Sequence, residues 1–245
     1  VDLIECGAVD NTQQGFNDGV SICSFTMGSR RLYDFLDDNP MVLFKSSTYS
    51  NDPYTIGRNN KFVSINATLE MDLTGQAASE SVGPVQFSGS GGQAETVQGA
   101  QMSPGGKSIL AMHSTYTDHD GKLHSKIVPM LTSGAAVTTS RNDVDYVVTE
   151  YGIAWLRGLT IAERVQALTK IAHPDFREWL LEEAEKNHIW GFTSLYQGKS
   201  PMPEASGFFL IGREGRGSSH VSVGCPAAVD GQGDAGDGVG GVGAE

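Results

Sequence analysis

The chain has 245 residues, 39% of them apolar, and 29 acidic against 17 basic side chains give it a formal charge of -12. That length suits one large domain or two small ones with a sizeable core, and the acidic balance excludes a general nucleic-acid surface, which needs basic patches. No apolar run approaches the roughly 20 residues of a membrane span and no signal peptide is visible, so no membrane partner is expected.

Residues 1–7 read as the end of an amphipathic helix, with Val1, Leu3 and Ile4 apolar and Gly7 as a stop. A chain opening there is expected to be a fragment or a processed product. The cysteines, Cys6, Cys23 and Cys225, are odd in number, widely spaced and without C-x-x-C, which suits a reducing, cytoplasmic setting. Val20–Met27 alternates apolar and small polar residues and predicts a strand. A short helix follows over Ser29–Leu36, ended by Asn39-Pro40, then a strand over Met41–Phe44. Asn51-Asp52-Pro53 is a turn with Asx chemistry, and Pro53 opens a helical turn at its first position. Phe62–Leu69 reads as a buried strand, continued through residues 70–73 to a turn at Gly75.

Ser108–Met112 and Lys126–Leu131 read as strands of one hairpin around the polar turn Asp118-His119-Asp120-Gly121. Ala135–Thr139 and Asp145–Thr149 are further strands. Thr160 with Glu163 three residues on forms a capping box, opening a helix whose inward face is Ile161, Val165, Leu168 and Ile171 or Ala172. Pro174 opens a last helix, with Phe176, Trp179, Leu180 and Ala184 inward. These elements predict an α/β domain over residues 1–190, an open, mixed and largely parallel sheet with helices on its faces. Residues 191–245 change character. Their Gly-rich end, 226–245, cannot bury enough apolar surface to offset its ordering cost, and disorder is expected.

The densest glycines lie in Ser88-Gly89-Ser90-Gly91-Gly92-Gln93, where a backbone without Cβ atoms can approach something bulky or anionic. Gly89, Gly91 and Ala94 fit G-x-G-x-x-A, but the preceding strand is thin and the residues near Ser114 include no suitable acid to meet a ribose. A P-loop at Gly106-Lys107-Ser108 fails because position 101 is Gln and a strand follows. A plain surface turn is the third reading, and the glycines alone do not choose.

Longer runs carry more. Asn39-Pro40-Met41-Val42, then Tyr49-Ser50-Asn51-Asp52-Pro53, Asn66 to Gly106, Lys126-Ile127-Val128-Pro129 and Thr138 to Val144 stand in order. Tyr146 to Ala154, Leu156-Arg157-Gly158 and Ala172-His173-Pro174-Asp175-Phe176-Arg177 follow. Together, over about residues 1–188, they resemble the C-terminal domain of the acetyl-CoA hydrolase/transferase family, the type that includes 4-hydroxybutyrate, butyryl and acetate CoA-transferases. The resemblance implies the second domain of the two-domain CoA-transferase (NagB/RpiA-like) fold, with the N-terminal part missing. It implies transfer of coenzyme A between short carboxylic acids, with acetate the expected acceptor, through a glutamyl-CoA thioester. Acetyl-CoA hydrolysis, or a non-catalytic CoA-binding fragment, is the alternative.

The implied partners are an acyl-CoA, a carboxylate and the N-terminal domain; a homo-oligomer is left open. Coenzyme A enters as substrate, no covalently bound cofactor is implied, and the nucleophilic Glu would lie upstream of Val1. By the same resemblance Gly92 offers its N–H to the thioester oxygen, Asn51 orients the thioester, and Glu150 is a carboxylate near the catalytic Glu. Leu69, Ser88, Gly91 and Gly92 fall where the family meets coenzyme A, and Lys107 could reach a phosphate. Each has a plainer explanation: a tight turn for Gly92, an Asx cap for Asn51, solvated charges for Glu150 and Lys107.

Lys107, Lys122, Lys126 and Arg141 are the cations available to an anionic ligand. The chain departs from the family's G-G-Q-x-D-F-x-R-G at Thr96 and Gln98, and a family Lys is displaced in His113–Lys122, departures that bear on acyl specificity and on part of the CoA grip. His113, His119 and His124 with Asp118 and Asp120 match no zinc spacing, and no metal is expected.

Overall fold

The computed structural model describes residues 1–189; the tail expected from residue 191 lies outside them. The chain opens with α1 (Asp2–Glu5), β1 (Ser21–Cys23), α2 (Arg30–Leu36), β2 (Val42–Phe44), α3 (Ser47–Ser50), α4 (Pro53–Gly57) and β3 (Val63–Ala67). Short strands β4 (Glu70–Asp72), β5 (Ala77–Ala78), β6 (Ser81–Val82) and β7 (Val85–Gln86) lead to α5 (Gln93–Met102) and β8 (Lys107–Ala111). Then come β9 (Thr115–Thr117), β10 (Leu123–Ser125), β11 (Ile127–Val128), β12 (Tyr146–Thr149), β13 (Gly152–Trp155), α6 (Ile161–Ile171) and α7 (Pro174–Lys186).

The main sheet runs β13-β12-β8-β3. Strands β3, β8 and β12 are parallel, and β13 closes the edge antiparallel to β12. The architecture is therefore α/β, mixed and largely parallel. Parallel neighbours need crossovers, and α5 is the one between β3 and β8. Helices α5 and α6 pack on this sheet. Their Val97, Val165 and Leu168 meet Leu110 and Val147 from the strands in one core, which Leu180 and Ala184 of α7 extend. Met71 of β4 and Ile127 of β11, paired in a second small sheet, join the same core.

Helix α6 starts where its capping box was expected: the Thr160 side chain accepts from the Glu163 N–H while the Glu163 carboxylate accepts from the Thr160 N–H. Such a cap contributes about 1 kcal/mol. Pro174 opens α7 at its first turn. Glycine sets two close approaches. A Cβ on Gly99 would run into the Ile56 side chain, so α4 lies against α5 almost backbone to side chain. A Cβ on Gly106 would strike the Ala100 carbonyl, so the tight return from α5 into β8 requires its absence.

Several sequence expectations are corrected. Ser108–Met112 and Lys126–Leu131 do not form one hairpin: β8 lies inside the main sheet, β11 pairs with β4, and the polar turn joins β9 to β10. Leu110 is 1% exposed, a burial that an edge hairpin could not give it. Ala135–Thr139 makes a single bridge, Ala77 to Thr139, instead of a strand. The strand expected over Val20–Met27 shrinks to Ser21–Cys23. Phe62–Leu69 is not buried on both faces: Ser64 is covered, whereas Val63 and Ile65 are 49% and 69% exposed. Among the described residues, the helices cover one face of the main sheet and not both. Trp179 is 39% exposed and, with Phe176, lines a cleft instead of the core.

Candidate active site

All three parallel strands of the main sheet end on one edge, and in open α/β sheets the crevice beyond the C-terminal strand ends is where ligands bind. The crossover from β3 returns to that edge before α5 begins, which places Gly92 there as the N-cap of α5. Gly92 has no side chain to cap the helix, and no hydrogen bond from its N–H or from those of Gln93, Ala94 and Glu95 is formed with the described residues. Four first-turn donors and the positive end of the peptide dipoles are left open.

The start of α5 is anchored from behind. The buried Gln93 side chain donates to Ser79 Oγ at 2.8 Å and Thr139 Oγ1 at 2.9 Å. Thr96 Oγ1 accepts from Ser64 Oγ and from Asn66 Nδ2 at 3.1 Å. Thr96 thus forms a polar tie between helix and strand.

Asn51 comes to the same place from α3 and α4. It terminates α3, and its Oδ1 accepts from Ser50 Oγ at 3.0 Å. Asp52 caps α4, accepting from the Thr55 N–H at 2.9 Å and Thr55 Oγ1 at 2.7 Å, which hold its carboxyl below the usual range. The Asx chemistry at this turn therefore belongs to Asp52, and Asn51 commits only its Oδ1, to Ser50. Its Nδ2 lies so close to Gly92 that a Cβ there would collide with it. No hydrogen bond from Asn51 Nδ2 is formed with the described residues.

Asn51 and Gly92 both line a cleft of about 710 Å³, walled also by Gly91, Ser24, Phe25, Thr48, Asp52 and Glu95. Gly91 adopts φ +63°, with open space where a Cβ would sit. Two adjacent N–H donors, one from backbone and one from an amide, can hold an oxygen that gains negative charge. Phe25 and Glu95 are wall residues that sequence reasoning did not assign; reading α5 as a helix would have put Glu95 in its first turn, facing the cleft.

The other expected site residues are spread out. Leu69 lines a second cleft of about 820 Å³ with Phe87, Phe176, Trp179, Lys122 and Lys126. Tyr116 and His124 of the β9–β10 hairpin form part of its wall, rings stacked 5.1 Å apart. His124 bonds Asp118 at 2.7 Å, and among the described residues no group of three His, Cys, Asp or Glu side chains is arranged to hold a metal ion. Ser88 is exposed and donates to the Gly89 carbonyl, touching neither cleft.

Lys107 begins β8, at the opposite end of the parallel strands from Gly92, and the structure does not bring the two together. Arg141 lines a third cleft. The four expected cations therefore do not form one cluster; Lys122 and Lys126 do share a cleft.

Glu150 follows β12 directly and does not line the Gly92 cleft. Its carboxylate accepts from the Ser114 N–H at 2.9 Å and from Ser114 Oγ at 2.6 Å. Partial burial pushes its pKa up, but these hydrogen bonds to the charged form win, and it sits below the ordinary glutamate value. Glu150 is thus a fixed anion tying the ends of β8 and β12 together.

Comparison with known proteins identifies the family. Residues 28–184 match the model for the acetyl-CoA hydrolase/transferase C-terminal domain. The chain is 48% identical over 186 residues to 4-hydroxybutyrate coenzyme A transferase of Clostridium kluyveri, covering 76% of this chain and 43% of that protein. To butyryl-CoA:acetate CoA-transferase of Anaerostipes caccae it is 42% identical over 190 residues, covering 78% and 43%. The crystal structure of RipA from Yersinia pestis superposes with a TM-score of 0.71 at 42% identity, covering 77% of this chain and 42% of that one. The chain thus spans about two fifths of the length of the relatives it matches.

Proposed function

The chain belongs to the acetyl-CoA hydrolase/transferase family, matching its C-terminal domain, and from that membership we propose that it forms the coenzyme A-holding half of an acyl-CoA:carboxylate CoA-transferase. The observation that carries the reading is a pair of unbonded donors, the Gly92 N–H and Asn51 Nδ2, on two residues that touch each other and line one open cleft. In this reading they receive the thioester oxygen of a short acyl-CoA. The attacking Glu comes from the part of the relatives that this chain does not cover.

The carboxylate of that Glu adds to the thioester carbon, and the electron pair moves to the oxygen held by Gly92 and Asn51. Collapse breaks the C–S bond, giving a mixed anhydride and the CoA thiolate. The thiolate then adds to the glutamyl carbonyl and expels the acid, and the acceptor, which we take to be acetate, repeats the sequence in reverse. Splitting one transfer into such steps is nucleophilic catalysis, and each tetrahedral adduct carries an oxyanion for which the two donors are already in place.

The nucleotide end of coenzyme A extends in this reading into the second cleft, past Leu69 and toward Lys122 and Lys126. Lys122 takes over there from the displaced family Lys. Lys107 is not assigned a phosphate, because it stands at the far end of the strands.

Calorimetric titration of the chain with butyryl-CoA tests the proposal. It predicts one site, weakened about tenfold by Asn51→Ala, the loss of one hydrogen bond of about 1.5 kcal/mol. No heat at millimolar ligand would contradict it. Once the chain is completed with a nucleophile-bearing partner, thiol release that does not depend on acetate would mark water as the acceptor.

A further inference from the structure

The main sheet has a second face. On the side away from α5 and α6 its registers align two rows across all four strands: Ile65–Ile109–Tyr146–Trp155, and Ala67–Ala111–Val148–Ile153. Every member is apolar or aromatic. Ile65 is 69% exposed, Ile153 68% and Trp155 53%. Parallel strands are ordinarily covered on both faces, and monomers rarely expose contiguous apolar patches beyond a few hundred Å².

The aromatic end of the patch is held rigid. Trp155 lies stacked on Tyr146, ring centres 6.0 Å apart. Its Nε1–H donates to the buried Asp145 carboxylate at 2.7 Å, so the polar edge of the indole is satisfied and its apolar plate is presented. A large, ordered aromatic is the usual anchor of a binding surface.

Two occupants compete. A second copy would bring two chains of charge -12 together, and like charge opposes that. The family match is to a C-terminal domain, and the Clostridium kluyveri relative has more than half its length outside the match. We propose that this face is the docking surface for the N-terminal portion of a full-length family member, with Ile65, Ile153 and Trp155 as its anchors. The inference rests on the fold and the family and is independent of whether coenzyme A is transferred.

Hydroxyl-radical footprinting tests it on two proteins: this chain alone, and this chain joined behind the N-terminal portion of the Clostridium kluyveri relative. Oxidation of Trp155 and Ile153 is expected to be rapid in the chain alone and to fall several-fold in the joined protein. The double variant Ile65→Lys, Ile153→Lys is expected to leave the melting point of the chain alone within a few degrees, as surface changes do, and to lower that of the joined protein clearly further. Equal oxidation of Trp155 in both proteins would overturn the proposal. So would a chain that already protects Trp155 by sedimenting as a dimer, or a double variant that destabilises both proteins equally.

Discussion

At the scale of single residues, two groups make opposite demands on charge. The Gly92–Asn51 pair is built from neutral donors, so in the proposed reading it bonds the thioester oxygen and holds it more strongly as that oxygen becomes negative. Gly92→Ala puts a methyl group into the Asn51 amide; we expect acyl-CoA affinity to fall at least as far as with Asn51→Ala while the melting point barely moves. Affinity kept intact in that variant would place the ligand elsewhere.

Glu150 works the other way. Its folded pKa is lowered by Ser114, so the stability it contributes is present above the unfolded glutamate value, about 4.3, and is lost as pH falls through the lower folded value. Ser114→Ala should therefore destabilise more at pH 7 than at pH 3, as read by melting points across that range. An equal loss at both would mean that the hydroxyl fills space and nothing more. These roles were unevenly legible. Asn51 and Gly92 lie far apart in the chain and meet only in three dimensions, so their pairing could be expected from family resemblance alone. The separation of Lys107 from Gly92 was not legible, because it depends on the direction of β8 in the sheet.

At the scale of elements, α4 and α5 must pack tightly for Asn51 to reach Gly92. The contact is Ile56 against Gly99. Gly99→Val should lower the melting point by several degrees, as overpacking of about 1–3 kcal/mol does in a domain of this size, and should weaken acyl-CoA binding by moving Asn51. Ile56→Ala in the same chain should restore part of both losses. A melting point restored without any return of affinity would show that α4 does not position Asn51. Helices α6 and α7 were legible because Thr160, Glu163 and Pro174 announce their first turns. Helix α5 was not: it begins on a glycine without a side-chain cap, carries Gly99 at its middle and shows no clear apolar stripe. Its helical form comes from tertiary ties through Gln93 and Thr96. The same lack of a local signal turned β8 and β11 into an imagined hairpin, since two apolar runs flanking a polar turn look alike whether they pair with each other or with strands elsewhere.

At the scale of the molecule, the chain joins a covered sheet face, an open apolar face and a donor-lined edge. Sequence patterning gave the α/β class with a largely parallel sheet, yet it put Ser108–Met112 in a hairpin and not between two parallel neighbours. It could not show that Ile65, Ile153 and Trp155 share one uncovered side, which depends on register across four strands. Neither could it show that the expected cations part company, with Lys122 and Lys126 in one cleft and Lys107 and Arg141 away from it. The proposed function puts the reacting oxygen at the donor-lined edge. Infrared difference spectroscopy of bound butyryl-CoA, carbon-13 labelled at the thioester carbonyl, reads that contact directly. The carbonyl band should shift to lower frequency on binding and move back toward its free position in Gly92→Ala and Asn51→Ala. A band unshifted in the bound complex, or shifted equally in the parent and both variants, would contradict the account.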